Sequence, residues 1–184
     1  MPPCLRRGFG RQAESPAGGL LRIKNQRHPL RGFGGRKRKA TMVIKQISVF
    51  LENKAGRLAK VAEELKNNKI NIRALTVADT SDFGILRMIV NKPDRAYEVL
   101  KKAGFTVRES GVLAIELDDK EGVFYDLMKL CDASGLNVEY TYSFVEQHSN
   151  KAILFLRFED NEKAVTLFGR EGYKLLTEDE IRKI

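Results

Sequence analysis

The sequence predicts an α+β fold in which two βαββαβ units lie side by side, with antiparallel sheets and with helices on one face. Two observations predict this fold. From residue 42 onward, stretches of alternating apolar residues and stretches with helical spacing follow the order strand, helix, strand, strand, helix, strand. The same order then recurs about 66 residues further along the chain. Two copies of one unit therefore account for most of residues 42–184.

The first unit begins with a predicted strand and a predicted helix. The strand covers residues 43–51, because apolar residues fall on alternate positions from Ile47 to Leu51. The helix covers residues 57–68, where apolar residues recur at the spacing of one helix face. Asn68 suits the helix end, since Asn tolerates the left-handed backbone that ends many helices.

The remaining elements of the first unit follow from turn residues and apolar runs. We predict a second strand over residues 70–78 and a third over residues 85–90, with turn residues between them. Pro93 lies in or near the first turn of a second helix, and Gly104 ends it. A fourth strand is predicted from Phe105 onward.

The internal repeat sets the domain boundaries. A shift of 66 residues places Gly56 on Gly122, and it aligns the apolar positions of the first strand with those near residue 115. We therefore place the domains at residues 42–108 and 109–184. A unit of about 70 residues that covers one face of its sheet is marginal alone, so we expect the units to pair. Right-handed β-α-β connections make each unit ferredoxin-like.

The net charge of +9 comes from the first 41 residues, which hold eleven basic residues and one acidic residue, Glu14. The rest of the chain has 22 basic and 23 acidic residues, so the folded part is nearly neutral. The first segment is rich in Gly, Arg and Pro, and we expect residues 1–41 to be a disordered basic extension. Met42 directly precedes the first strand, and we expect it to be the natural start.

Several functional classes are disfavoured by the sequence. No apolar run reaches the roughly 18 residues of a membrane span, so we expect a soluble protein. His28 and His148 have no nucleophile or metal ligand at a recognisable spacing, and no HExxH, GxSxG or P-loop motif occurs. Cys4 and Cys131 lack metal-ligand spacing, which favours a reducing cytosol. We expect a cytoplasmic, non-catalytic protein with no cofactor and no metal.

A short polar turn, residues 53–58, separates the first strand from the first helix. The first amides of a helix lack intrahelical partners, and the helix dipole is positive there. A carboxylate or phosphate is therefore favoured at this turn. Gly56 would allow the ligand to approach the backbone.

The same turn carries a family resemblance. Residues 49–58 (VFLENKAGRL), followed by residues 70–72 (INI), resemble the signature of ACT domains, small βαββαβ modules that bind amino acids and regulate metabolism. Residues 78–87 resemble the subgroup with two such modules and no enzyme domain. The resemblance implies an amino-acid sensor, expected here as a homodimer. It also implies modules joined through their second-strand edges in an eight-stranded sheet.

The resemblance places the ligand carboxylate over the amides of the first turn, with Asn53 as a polar contact. Asn71 and Ile72 would border the pocket from the paired module. The ligand-binding residues expected at this site are Asn53, Ala55, Gly56, Arg57, Leu58, Asn71 and Ile72.

The second turn is expected to be a weaker site or none. Asp118, Asp119 and Glu121 place negative charge where a carboxylate would dock. The residues expected at this second site are Asp119, Glu121, Gly122, Val123, Asn137 and Val138. An alternative interpretation is that Asn53 and Asp119 only cap their helices.

Two other functions stay open. ACT modules also form regulatory subunits that act in trans on a metabolic enzyme such as acetolactate synthase. A basic-tailed nucleic-acid-binding protein is the other alternative, since RNA-recognition modules share this element order. Those modules stack bases on aromatic residues of their first and third strands, and the third strand here, residues 85–90, contains none. The partners we expect are therefore a free amino acid, a second copy of the chain and a metabolic enzyme.

Overall fold

The structure is a computed structural model, and it describes residues 41–79, 83–145 and 150–183. Its elements in chain order are β1 (Val43–Glu52), α1 (Arg57–Asn67), β2 (Ile72–Asp79), β3 (Phe83–Val90), α2 (Pro93–Lys102), β4 (Thr106–Asp118), α3 (Val123–Ala133), β5 (Val138–Val145), β6 (Lys151–Phe158), α4 (Asn161–Arg170), β7 (Lys174–Leu176) and α5 (Glu178–Ile181). The predicted α+β class is confirmed. The expected disorder of residues 1–41 concerns residues that, apart from Thr41, lie outside the described ones.

The described strands form one antiparallel sheet in the order β2-β3-β1-β4-β6-β5, and β7 also pairs with β4. The first unit contributes β4-β1-β3-β2, and the second repeats this order as β7-β4-β6-β5. In both units the first strand lies between the fourth and the third, which is the ferredoxin-like order. The prediction of two such units side by side is confirmed.

One strand, β4, belongs to both units. Its residues 106–113 pair with β1, its residues 113–118 pair with β6, and its residues 114–116 pair with β7. The fourth strand of the first unit therefore continues, without a turn, as the first strand of the second. The predicted domain boundary, between residues 108 and 109, falls inside this strand.

The prediction that the two units join through the edges of their second strands is wrong. The second strands of the two units, β2 and β5, lie at opposite ends of the strand order, and the described sheet has seven strands rather than eight. The cause is the continuity of β4, since a chain segment without a turn keeps the two units joined along that strand. Within this chain, β2 and β5 are therefore left at the two edges of the sheet.

The helices cover one face of each unit, as predicted. In the first unit, β1 places Ile47, Val49 and Leu51 against α1 and α2, where Leu65 and Leu100 are buried. In the second unit, an equivalent cluster joins β4 and β6 to α3 and α4. The alternating pattern that predicted β1 is thus the pattern of residues that face the helices.

The opposite faces of the two units pack against each other. This inner core contains residues from both units and from α5, namely Ile44, Ala74, Ile89, Val112, Ala114, Ile153, Phe155, Leu176 and Ile181. Gln46 is completely buried at this junction, and its Nε2 donates a 2.8 Å hydrogen bond to the Tyr140 hydroxyl. The two units, each of which is too small to be stable alone, therefore associate through these packed faces as well as through β4.

The short helix α5 was not predicted, although its sequence carries a signal. Thr177 accepts a hydrogen bond from the Glu180 amide, and the Glu180 carboxylate accepts one from the Thr177 amide. This capping box is the expected start of a helix in a Thr-x-x-Glu sequence. It directs Ile181 into the inner core. In the described part of the chain, none of the helices has the length and apolarity that crossing a bilayer would require.

Candidate functional site

The first turn has the backbone geometry that a ligand-binding helix start needs. Gly56 is the N-cap of α1 and has a φ of 84°, in the left-handed region that favours glycine. The Arg57 amide donates to the Lys54 carbonyl at 3.3 Å, and the regular helical bonds begin with Lys60 donating to Gly56 at 3.0 Å. In the described residues the amides of Gly56 and Leu58 have no such bond, so they are open to an acceptor.

The helix-cap alternative is not supported at either turn. The N-caps of α1 and α3 are Gly56 and Gly122, and among the described side chains none makes a cap hydrogen bond at either helix start. Within the described part of the chain, the Asn53 side chain makes no hydrogen bond. Asn53 is exposed, and so is Asp119. Both side chains are therefore available to a ligand rather than engaged with the helix.

Arg57 has a local structural role. Its guanidinium carbon lies 5.4 Å from the centre of the Phe105 ring, which is the geometry of a cation–π contact. Its Nε is buried and has no hydrogen-bond partner among the described residues. The aliphatic part of the Arg57 side chain thus covers the core, and its backbone amide already donates to the Lys54 carbonyl.

Asn71 and Ile72 lie at the other end of the first unit's sheet. Glu52, at the end of β1, pairs with Phe83, whereas Ile72 pairs with Val90. The intervening length of β3 is about 23 Å at the usual rise per residue. The Asn71 amide donates to the Asn91 side chain at 2.9 Å. Within one unit, therefore, the structure does not bring Asn71 and Ile72 to the first turn.

The second turn borders a cavity of about 380 Å³. This volume lies in the range of small-molecule pockets. The cavity lies between the turn, the start of α3 and the edge strand β5. Its lining combines apolar, charged and three hydroxyl-bearing side chains, and the residues are Leu117, Asp118, Asp119, Lys120, Val123, Phe124, Thr141, Tyr142, Ser143, Ala152 and Leu154. Asn137 and Val138, at the start of β5, do not line it.

The acidic charge of the second turn is partly compensated. Lys151 lies 2.5 Å from the Asp118 carboxylate, and Lys120 lies 3.1 Å from it. Hydrogen bonds from Lys151 and Lys120 lower the pKa of Asp118 from its ordinary value, and the bond to Asp118 raises the pKa of Lys151. The negative charge expected to oppose a carboxylate ligand is therefore mainly that of Asp119 and Glu121.

A second cavity, of about 450 Å³, lies between the two units and was not predicted. It is lined by Ser48, Phe50, Ile85, Arg87, Arg108, Ser110, Glu139, Tyr140 and Arg157. We call it the inter-unit cleft. The residues that β1, β3 and β4 contribute are mainly polar, as on a solvent-exposed face, and only the packing of the second unit covers them. In the described residues no group of acidic, His or Cys side chains is arranged to hold a metal ion.

A family model described as an ACT domain pair matches residues 42–184. The chain belongs to this family. ACT domains are regulatory modules, so the family places the chain among regulatory, ligand-binding proteins. The resemblance based on the first strand, turn and helix is thereby confirmed, and so is the pair of modules.

Solved structures agree with this assignment. Protein BT0572 from Bacteroides thetaiotaomicron is 38% identical, with a TM-score of 0.73 over 78% of this chain and 98% of that protein. The regulatory subunit of aspartate kinase from Thermus thermophilus, in its ligand-free form, is 16% identical, with a TM-score of 0.52 over 71% of this chain and 97% of that one. Its counterpart from Thermus flavus is 17% identical, with a TM-score of 0.51 over the same shares. Among curated protein sequences none matches significantly.

Proposed function

We propose that this ACT domain pair is a non-catalytic, cytoplasmic sensor of a free amino acid that acts as a homodimer. The observation that carries the proposal is the first turn, where a left-handed glycine begins α1 and backbone amides have no partner among the described residues. An α-carboxylate would accept hydrogen bonds from these amides at the positive end of the helix dipole. Asn53 would accept from the ammonium group of the ligand through its amide oxygen.

The homodimer would complete this site through the free edge of β2. Leu75 and Val77 face the helix side of this edge strand, and they are 53% and 48% exposed. An unpaired edge with apolar side chains is a surface for strand pairing with a second copy. Asp79 of β2 pairs with Gly84, which also pairs with Leu51 of β1, so this end of β2 lies at the same end of the sheet as the first turn. Antiparallel pairing of two β2 strands would therefore bring Asn71 of the partner subunit toward this turn.

The two turns are proposed to differ in affinity. The first turn carries Lys54, whose Nζ lies 3.4 Å from Glu52, and no carboxylate besides Glu52 within the strand end and the turn. The second turn carries Asp119 and Glu121, which oppose a carboxylate. Its adjoining cavity supports a role as a weaker second site.

The test is a thermal-shift screen of the full chain against the common amino acids. A ligand present at about 100 times its dissociation constant stabilises the folded state by about 2.7 kcal/mol. For a chain of this size, that corresponds to an increase in Tm of about 5 to 10 °C. A flat screen at millimolar concentrations would contradict amino-acid binding.

Glycine variants locate the site. We expect Gly56→Val to remove the shift, because the side chain would occupy the approach to the free amides. Gly104→Val is the matched control, since Gly104 has the same φ of 84° and similarly open surroundings but lies at the end of α2. Gly122→Val tests the second turn and should reduce the response less. A shift that survives in Gly56→Val would contradict a site at the first turn.

Regulation of a separate enzyme is the expected consequence of sensing. The proposal is supported by the shared fold of the aspartate kinase regulatory subunits, which act as subunits of an enzyme. Co-purification of the tagged chain from its host, with and without the amino acid found in the screen, would identify the enzyme. A chain that binds the amino acid and yet captures no enzyme in either condition would contradict action in trans.

A further inference from the structure

The inter-unit cleft is lined by groups that donate hydrogen bonds. On the first unit, Ser48 of β1 pairs with Arg87 of β3 on one side and with Arg108 of β4 on the other. Directly paired residues of antiparallel strands project from the same face of the sheet. Two arginines therefore flank one serine, with their Cα atoms about 10 Å apart across two strand spacings.

The second unit places further polar groups opposite this row. Tyr140 of β5 and Arg157 of β6 are paired residues, and both line the cleft. The guanidinium carbon of Arg87 lies 4.1 Å from the centre of the Tyr140 ring, so the aromatic ring holds this arginine across the junction. Arg157 donates to the Gly111 carbonyl at 2.8 Å. The cleft thus has arginines on both walls.

The buried Gln46 sets the direction of the hydroxyl hydrogen bonds. Its Oε1 accepts from the Tyr142 hydroxyl at 3.0 Å, so its Nε2 faces the hydroxyls of Ser48, Ser110 and Tyr140 at 3.2, 3.1 and 2.8 Å. The amide has two hydrogens, which these three oxygens share as acceptors, and each hydroxyl keeps its own hydrogen for another acceptor. All three line the cleft. A ligand here would therefore meet donors from three hydroxyls and from the arginines.

Among the described residues, the acidic side chains that line the cleft do not balance its positive charge. Glu139 is the acidic residue in the lining, and its carboxylate lies 3.5 Å from Arg157. Arg108 has no ion pair or hydrogen bond in the described residues. Three guanidinium groups and one carboxylate leave two positive charges, which repel one another when they lie together. An anion between them would remove this repulsion.

We propose that the inter-unit cleft binds a small organic dianion, held between Arg87 and Arg108 and contacted by Arg157 from the other unit. Two negative charges match the excess charge, and guanidinium groups bind carboxylate and phosphate oxygens in a bidentate manner. Phe50 and Ile85, which are paired beside the arginine row, offer an apolar surface to the carbon part of the ligand. The class therefore comprises dicarboxylates and phosphate monoesters. This site is separate from both helix-start turns.

Calorimetric titration of the full chain tests the proposal, with succinate, glycerol phosphate and acetate at one ionic strength. We expect at least one of the two dianions to bind and acetate not to bind. Whether succinate or glycerol phosphate binds more tightly decides between a dicarboxylate and a phosphate ester. Absence of binding by both dianions at millimolar concentration would overturn the proposal, as would equal binding of acetate.

Variants locate the dianion. Arg108→Gln should weaken binding by about tenfold to a hundredfold, because a charge-assisted contact is lost. The matched control is Arg95→Gln on α2, an exposed arginine that hydrogen-bonds Asn68 outside the cleft; it should bind as the wild type does. Tyr140→Phe removes one hydroxyl donor and keeps the ring next to Arg87, so a smaller loss is expected. Equal affinities of the Arg108→Gln and Arg95→Gln variants would place the anion elsewhere.

The two binding proposals can fail independently. Gly56→Val should bind the dianion normally, and Arg108→Gln should retain the amino-acid response. An amino-acid response that disappears in Arg108→Gln would show that the cleft is the amino-acid site and would overturn a separate dianion site.

Discussion

At the residue scale, Gln46 is a fully buried polar link between the two units. It hydrogen-bonds Tyr140 and Tyr142 of the second unit as well as Ser48 and Ser110 of the first. A buried amide is costly unless its donors and acceptor are satisfied. The same contacts that satisfy Gln46 also orient the hydroxyls of the inter-unit cleft. One side chain therefore contributes both to the stability of the junction and to the polarity of the cleft.

The hydroxyl of Tyr142 makes the stability of the junction dependent on pH. Burial raises the pKa of Tyr142 above its ordinary value of 10.0. An unfolded chain would ionise this phenol first, at about pH 10. Its contribution is therefore fully present below about pH 10 and is lost as the pH rises toward the folded-state pKa.

We expect the free energy of unfolding to fall with pH above about 10, and to fall less steeply in Tyr142→Phe. Urea unfolding at several alkaline pH values measures both slopes. Tyr125→Phe is the control, since Tyr125 is 65% exposed, and it should keep the wild-type slope. Identical slopes for wild type and Tyr142→Phe would show that Tyr142 ionises equally in both states.

At the element scale, Gly111 marks the middle of β4. A Cβ at this position would lie 2.5 Å from Val43 Cγ1 and 3.1 Å from Asn161 Nδ2. The Gly111 carbonyl accepts from Arg157 at 2.8 Å and from Asn161 at 3.2 Å. β1, β6 and α4 therefore meet at this glycine because it has no side chain.

Gly111→Ala should lower the free energy of unfolding by about 1 to 3 kcal/mol, since Val43 is β-branched and is restricted in moving away. Gly169→Ala is the control, because Gly169 lies in α4 with no atom within 4 Å of its would-be Cβ. In a helix this change should be neutral or stabilising by up to about 1 kcal/mol. Urea unfolding of both variants gives the comparison, and a neutral Gly111→Ala would mean that β1 shifts freely.

Helices and strands could be predicted from the sequence where burial of one side produces a regular spacing of apolar residues. β1 and the four longer helices could be placed from apolar spacing, because each buries one side against a helix or sheet. The continuity of β4 could not be predicted, since Gly111 resembles a turn glycine in the sequence and only its neighbours show that it is a crossing point. The inter-unit cleft was missed for a related reason: Ser48, Arg87 and Arg108 have the polarity of a solvent-exposed face. Long-range packing of the second unit gives them their surroundings.

At the scale of the whole molecule, the two sheet edges differ although the units are repeats. Leu75 and Val77 of β2 correspond, 66 residues later, to Thr141 and Ser143 of β5. Both pairs face the helix side of their strands. The apolar edge is the one proposed to join a second copy, and the polar edge lines the cavity at the second turn.

Leu75→Lys should convert a dimer to a monomer, because a charge in an edge strand opposes strand pairing. Thr141→Lys places the same charge at the equivalent position of the polar edge and should leave the dimer intact. Sedimentation velocity at several protein concentrations distinguishes the two. A dimer that survives in Leu75→Lys, or a wild type that is monomeric throughout, would contradict pairing through β2.

The shared strand β4 also limits how the chain can be divided into fragments. A cut before residue 106 removes the fourth strand of the first unit, and a cut after residue 118 removes the first strand of the second. A cut at residue 113 divides β4 between them and leaves each half of the strand without its covalent continuation. The two modules are repeats in sequence, but neither can be excised without removing a strand from the other. Domain-deletion or domain-swap chimeras of this chain must therefore carry β4 whole.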